Sequence, residues 1–228
     1  MNIILVTNSS IFGRFLAGSL AQAAKLDRII IEYGRPPWKY YYKKFKRVGP
    51  INFVFQYFLN RWFEKQGRST LPHMEMPEHI RVRNVNFYDF DPNDIVIGYG
   101  TSYIFPRTLK RLRNGFLNIH SGILPEYRGV KSEFWVMYNK DFNKAGWTLH
   151  FMTPKIDAGD IVIKRYTTVS GENPGELRCK ILREAIPVLA HFINTVRSKG
   201  VNTIQREPQS GGAYYTTPTL KQWFGYKR

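Results

Sequence analysis

Asn118 and His120 stand two residues apart in Phe116-Leu117-Asn118-Ile119-His120, an apolar run of strand length. A strand repeats every two residues, so both side chains point the same way. Residues 121–129 then form a loop at the carboxyl end of that strand, where open α/β sheets bind ligands. Farther on, Ile156-Asp157-Ala158-Gly159 places a carboxylate on a turn between two apolar segments. An amide, an imidazole and a carboxylate that converge suit acyl transfer to an amine. The amide holds the carbonyl oxygen, the imidazole stabilises an oxyanion and moves protons, and the carboxylate sets the charge of the imidazole. On spacing alone, Asn-x-His on a strand is usually an ordinary structural pair, and Asp before Gly most often an ordinary turn residue.

The surrounding elements read as an α/β sheet. Residues 3–7 are a strand-length apolar run, Asn8-Ser9-Ser10 is a helix start, and residues 11–24 carry Phe12, Phe15, Leu16 and Leu20 on one helical face. Residues 28–33, with three successive isoleucines, complete a βαβ opening. Strands are expected over 80–85, 94–98, 116–120, 147–152 and 160–165. Helices are expected over 105–113, 131–139 and 176–197, the last kinked by Pro187. Residues 1–204 make one catalytic domain, and 205–228 a Gly-, Tyr- and Pro-rich tail with no regular structure, packed on the domain or mobile.

Residues 118–129, Asn-Ile-His-Ser-Gly-Ile-Leu-Pro-Glu-Tyr-Arg-Gly, resemble the Asn-x-His…Leu-Pro-x-x-x-Gly loop of the folate-dependent formyltransferases. Gly146-Trp147-Thr148-Leu149-His150-Phe151, followed by Ile156-Asp157-Ala158-Gly159-Asp160-Ile161, is similar to that family's second signature, in the family's order and spacing. The resemblance covers about residues 1–34 and 91–189. It implies a Rossmann-like, mostly parallel sheet flanked by helices, with 10-formyltetrahydrofolate as co-substrate and Asn118, His120 and Asp157 as catalytic residues. It also implies that residues 99–106 hold the pterin by their backbone, with Ser102, Tyr103 and Ile104 the closest matches, and that Thr153-Pro154-Lys155 closes the other side. His150, beside Leu149 and Phe151, reads as a satisfied core histidine.

The chain of 228 residues has 43% hydrophobic residues, enough for a sizeable core. No apolar run approaches the ~20 residues that span a bilayer, and the first residues lack the basic flank of a signal peptide. The single cysteine, Cys179, excludes an internal disulfide and any multi-cysteine metal site. His73, His79, His120, His150 and His191 show no ligand spacing, so no metal is expected. The cytoplasm is the default compartment, with the inner face of the membrane as an extension.

Charge is the anomaly: 34 Lys plus Arg against 17 Asp plus Glu, or +17 at pH 7. It concentrates in residues 35–68, within an insert taken as 35–70, where basic and aromatic residues interleave and Pro36-Pro37 and Gly49-Pro50 suggest two helices with a break. That insert could grip a nucleotide, lie on an anionic membrane surface, or be a small helical subdomain with a solvated basic face.

The expected acceptor is the amine of a nucleotide-linked amino sugar for a surface polysaccharide. The position after the first strand lacks the clustered glycines of a glycinamide ribonucleotide cradle. The chain ends before the second domain that methionyl-tRNA formyltransferases add. The insert and residues 211–218 resemble stand-alone formyltransferases of sugar metabolism. The alternatives are formylation of aminoacyl-tRNA or a ribonucleotide amine, and an inactive nucleic-acid- or membrane-binding module.

Overall fold

In the computed structural model, which describes residues 1–34 and 38–226, the first apolar run forms β1 (Ile3–Asn8). Alternation sends Ile3 and Leu5 to one face of the sheet and Ile4 and Val6 to the other, and all four are buried. A strand covered on both faces belongs in the middle of an α/β sheet. β1 pairs in parallel with both β2 (Arg28–Glu32) and β4 (Ile95–Tyr99). α1 (Ile11–Ala23) connects β1 to β2, with Ser10 as N-cap accepting from Gly13 N–H at 3.2 Å. Its expected face, Phe12, Phe15, Leu16 and Leu20, is the one buried.

β2 leads into α2 (Trp38–Thr70) and then β3 (Ile80–Val82). α2 is two helices joined at Gly49, whose φ of 77° no helix accommodates, with Pro50 opening the second. The break expected at Gly49-Pro50 is present; Pro36-Pro37 lie outside the described residues. β3 is shorter than the expected 80–85, because Asn84 caps a 3₁₀ turn by accepting from Asn86 N–H at 2.9 Å.

β4 is followed by α3 (Pro106–Arg111), β5 (Phe116–His120), β6 (Tyr127–Gly129), α4 (Ser132–Tyr138), β7 (Gly146–Phe151), β8 (Ile161–Tyr166) and α5 (Pro174–Lys199). The sheet order is β3-β2-β1-β4-β5-β7-β8, parallel from β3 to β5 and antiparallel beyond. The order reverses between β1 and β4, and the carboxyl end of that junction is where such sheets bind ligands. α5 starts with a capping box between Asn173 and Glu176 and runs without interruption through Pro187. Arg178 of α5 grips Glu133 of α4 with two bonds, Nε to Oε1 at 2.7 Å and Nη2 to Oε2 at 2.9 Å. That fork fixes the start of α4, just after the loop that follows β5.

The tail departs from the sequence expectation. Gly211 and Gly212, at φ 74° and 76°, turn it into β9 (Ala213–Tyr215), which pairs with β6, and α6 (Leu220–Tyr226) follows. Tyr215 stacks on Tyr127 with ring centres 5.2 Å apart, and Trp223 of α6 lies on Phe134 at 5.6 Å. A three-residue strand made by pairing with a distant loop leaves no periodicity to read. Aromatic rings, rather than an apolar repeat, hold this segment down.

Candidate active site

β5 and β7 run antiparallel in a register that sets Asn118 opposite His150 and His120 opposite Thr148. Residues directly opposite in such a pair share a face. Asn118 Nδ2 and His150 Nε2 are 3.1 Å apart, and His150 Nδ1 lies 2.9 Å from the carbonyl of Phe151. A carbonyl only accepts, so Nδ1 carries a proton directed at Phe151, and Nε2 faces the Asn118 amide. His150 is therefore buried and satisfied as the sequence suggested, but it belongs to the site: it orients the Asn118 amide and places Nε2 3.4 Å from Asp157 Oδ1.

His120 is fixed from both sides. Nε2 lies 2.6 Å from the carbonyl of Tyr127, which assigns that nitrogen its proton, and Nδ1 faces Asp157 Oδ2 at 3.6 Å. Ser132 Oγ approaches Nε2 at 3.4 Å. Gly122 has no space for a side chain: a Cβ there would lie 2.7 Å from His120 Nε2 and 2.6 Å from Ser132 Oγ. Thr148 shapes the loop by donating to Gly122 C=O at 2.8 Å and accepting from Leu124 N–H at 3.2 Å.

Asp157 reaches this corner from the turn between β7 and β8, in the left-handed region at φ 49°, which Asp adopts more readily than most residues. Its Oδ2 accepts from Gly129 N–H at 2.8 Å. Burial by itself would raise the carboxyl pKa, but the His120 and His150 rings and that N–H outweigh it and hold it at about 2. The site thus contains a permanent carboxylate between two imidazoles and an oriented amide. The structure brings Asn118, His120 and Asp157 together and sets His150 beside the Asn118 amide.

The tail holds the loops that carry these groups. Arg128 Nη2 donates to Gly212 C=O at 2.8 Å, Val130 N–H donates to Tyr215 C=O at 3.0 Å, and Trp135 Nε1 donates to Thr216 C=O at 2.8 Å. On the other side, Ile161 and Glu207 exchange backbone bonds of 2.8 and 2.9 Å next to the Asp157 turn. Nothing in the residue types of the tail announced this role.

The two segments expected to flank a pterin face each other, with Tyr103 Oη donating to Pro154 C=O at 3.3 Å. The Ser102 N–H and hydroxyl are both spent on Glu32, at 2.8 and 2.7 Å, and the Ile104 side chain is buried in the core. No hydrogen bond among the described residues takes up the N–H or C=O of Ile104, which leaves a donor and acceptor for the edge of a flat heterocycle. Thr153 Oγ1 closes its own turn by donating to Lys155 C=O at 2.8 Å.

Beyond the carboxyl ends of β1 and β2 lies a cavity of about 790 Å³. Arg61, Lys65 and Arg68 of α2 line it with the rings of Tyr33 and Trp62. Its acids are already engaged. Glu32 accepts from Ser102 and from Val85 N–H, and Glu64 Oε2 accepts from Ile11 N–H at 3.2 Å, in the first turn of α1. Lys131, next to the start of α4, has its Nζ 3.8 Å from the centre of the Phe63 ring. Burial, together with the Arg178 charge, lowers the pKa of that amine well below the ordinary lysine value.

Residues 83–189 match the formyl transferase family. That stretch of the chain is similar to formyl transferases. The match includes both loops of the site. A methionyl-tRNA formyltransferase from Alkaliphilus oremlandii is 29% identical over 133 residues, covering 58% of this chain and 41% of the relative. A GDP-perosamine N-formyltransferase from Brucella melitensis is 31% identical over 104 residues, covering 40% of each. The chain thus spans about two fifths of the length of these relatives. Among solved structures, a 4-N formyltransferase from Francisella tularensis superposes with a TM-score of 0.60 at 17% identity, covering 99% of this chain and 86% of that one. The Helicobacter canadensis N-formyltransferase, solved with folinic acid and dTDP-3-aminofucose, gives 0.61 at 15% identity, covering 95% and 71%. At such identities the likeness concerns the fold, which is shared over 95–99% of this chain.

Proposed function

We propose that the chain transfers a formyl group from 10-formyltetrahydrofolate to the primary amine of a nucleotide-linked amino sugar. The observation that carries this reading is the corner where Asn118, His120 and Asp157 converge, with His150 behind the amide. The folate would supply the formyl carbon on N10, the nitrogen that leaves and takes the proton the amine gives up. The unspent backbone N–H and C=O of Ile104 suit the edge of its flat head.

One amide hydrogen of Asn118 is committed to His150, and the second is available for the formyl oxygen as charge develops on it. His120 holds its Nε2 proton on Tyr127, so Nδ1 is the nitrogen that gains and gives protons. Asp157, ionised at any working pH, faces and orients Nδ1. The amine must attack in its neutral form. Its proton passes to Asp157 or His120, directly or through one water.

Two features support the acceptor class. The cavity over β1 and β2 is two to three strand spacings from β5, roughly 10–15 Å at ~4.8 Å per strand. A sugar and a diphosphate bridge such a distance. The cationic residues of α2 suit the phosphates, and Tyr33 and Trp62 suit the base. Meanwhile Glu64 takes the Ile11 N–H, at the helix end that would otherwise attract a phosphate.

The test is to incubate the full chain with 10-formyltetrahydrofolate and a panel of amines, and to follow products by mass. Nucleotide-linked amino sugars should gain one formyl group. Transfer only to aminoacyl-tRNA or glycinamide ribonucleotide would overturn the acceptor class, and transfer to no amine would overturn the reading as a whole.

A further inference from the structure

The two halves of α2 differ in what they bury. After Gly49 the helix packs Gln56, Leu59, Phe63 and Gly67 inward. Before Gly49, every residue from 38 to 47 is exposed except the half-buried Lys44. Yet that first half is strongly patterned. Trp38, Tyr41, Tyr42 and Phe45 fall at i, i+3, i+4 and i+7 and share one face, whereas Lys39, Lys43, Lys46 and Arg47 occupy another. Trp38 is 69% exposed. The apolar surface continues past the break through Ile51, 70% exposed, and Val54, Tyr57 and Phe58. The Phe45 and Phe53 rings, 5.7 Å apart, join the two halves.

We propose that this face of α2 is a docking surface for an anionic membrane, with the aromatic and aliphatic side chains in the interface and the lysines among the headgroups. A helix with apolar and basic faces set apart is what interfacial binding requires. Charge complementarity identifies the surface as anionic. From 38 to 70 the chain has eight Lys or Arg and one acid, Glu64, within a protein of net charge +17. Nucleic acid would draw rings and cations to the same face, to stack on bases and meet phosphates together. Ile51 and Val54, which have no π-face, suit acyl chains better. A second copy is disfavoured because it would bring the same excess of positive charge against itself. No described helix is long and apolar enough to cross a membrane, so the contact would be superficial.

Flotation of the full chain with vesicles tests it, using phosphatidylcholine alone and phosphatidylcholine mixed with phosphatidylglycerol. The chain should float with the mixed vesicles, bind phosphatidylcholine at least ~10-fold more weakly, and be released by salt. Trp38 emission should shift to the blue on binding, and the shift should vanish in Trp38→Phe. Reversing Lys39, Lys43, Lys46 and Arg47 to Glu should weaken binding ~100-fold or more. Replacing Phe45, Ile51 and Val54 by Ser should weaken it at least ~10-fold. Transfer to a soluble acceptor should be unchanged in both variants, which also reports their folding. The proposal is overturned by no partition into mixed vesicles, or by binding that ignores the apolar substitutions. Tighter binding of a single-stranded oligonucleotide through the same lysines, or self-association abolished by the Ser variants, would overturn it in favour of those partners.

Discussion

The corner between β5 and β7 and the first half of α2 use their side chains in opposite ways. In the corner almost every polar atom is committed: His120 to Tyr127 and Asp157, His150 to Phe151 and Asn118, Asp157 to Gly129 N–H. In the first half of α2 the side chains lie open, and the contacts it has are largely internal, such as Trp38 with Tyr42 and Lys46 over Tyr42. A group held from two sides can be aimed at a reacting atom, because its reorganisation cost has already been met by the fold. A group left open can adapt to a surface that the protein does not contain. Changes in the corner should therefore alter chemistry strongly, whereas changes on the open helix should alter only what it docks to.

The largest expected effect is in the corner. Asn118→Ala and His120→Asn should each slow formyl transfer by about a hundredfold to a thousandfold, the usual loss for one oxyanion donor. Folate binding by calorimetry should persist. Equal losses from substitutions on the open helix would erase the distinction.

Asp157 gives the next effect, and its sign is fixed. Its carboxyl pKa falls from an unfolded value near 3.9 to about 2 in the fold. The stability this contributes, about 2–3 kcal/mol, is present above the unfolded value and is lost as pH falls from about 4 toward 2. Asp157→Asn should flatten that acid limb in denaturant titrations at several pH values. An unchanged limb would mean that the carboxylate is not held by the two imidazoles.

Gly122→Ala sharpens the comparison at the scale of a single methyl group. Its Cβ would enter the space between His120 Nε2 and Ser132 Oγ. About 1–3 kcal/mol of stability should be lost, as for other overpacked sites, with a loss of turnover larger than thermal melting alone explains. The smallest effect belongs to the open helix: Lys43→Glu should change stability by no more than ~0.5 kcal/mol in urea unfolding.

How far each feature was legible depends on whether its cause is local. β1, β5 and α1 were readable because their apolar spacing is the cause of their burial. The break at Gly49-Pro50 was readable because those two residues impose it. His150 was read correctly as buried, but its part in the site depends on the β5–β7 register, which places it opposite Asn118 and is set by pairing rather than by its neighbours in sequence. The tail was missed for the same reason: β9 exists because β6 lies beside it, and α6 because Phe134 and Trp62 offer rings to Trp223. Asp157 as a site residue is implied by the resemblance alone. Its meeting with both histidines is a property of the turn after β7.

The central claim is that Asn118, His120 and Asp157 act as one unit on one transition state, and a mutant cycle tests it most directly. Single-turnover formyl transfer should be measured for His120→Asn, Asp157→Asn and the double variant, with folding checked by circular dichroism. Because both residues act through the same imidazole, the double variant should be little slower than the worse single, the non-additivity expected of a catalytic unit. A well-folded double variant that transfers formyl near the wild-type rate would contradict the account, as would losses that multiply independently.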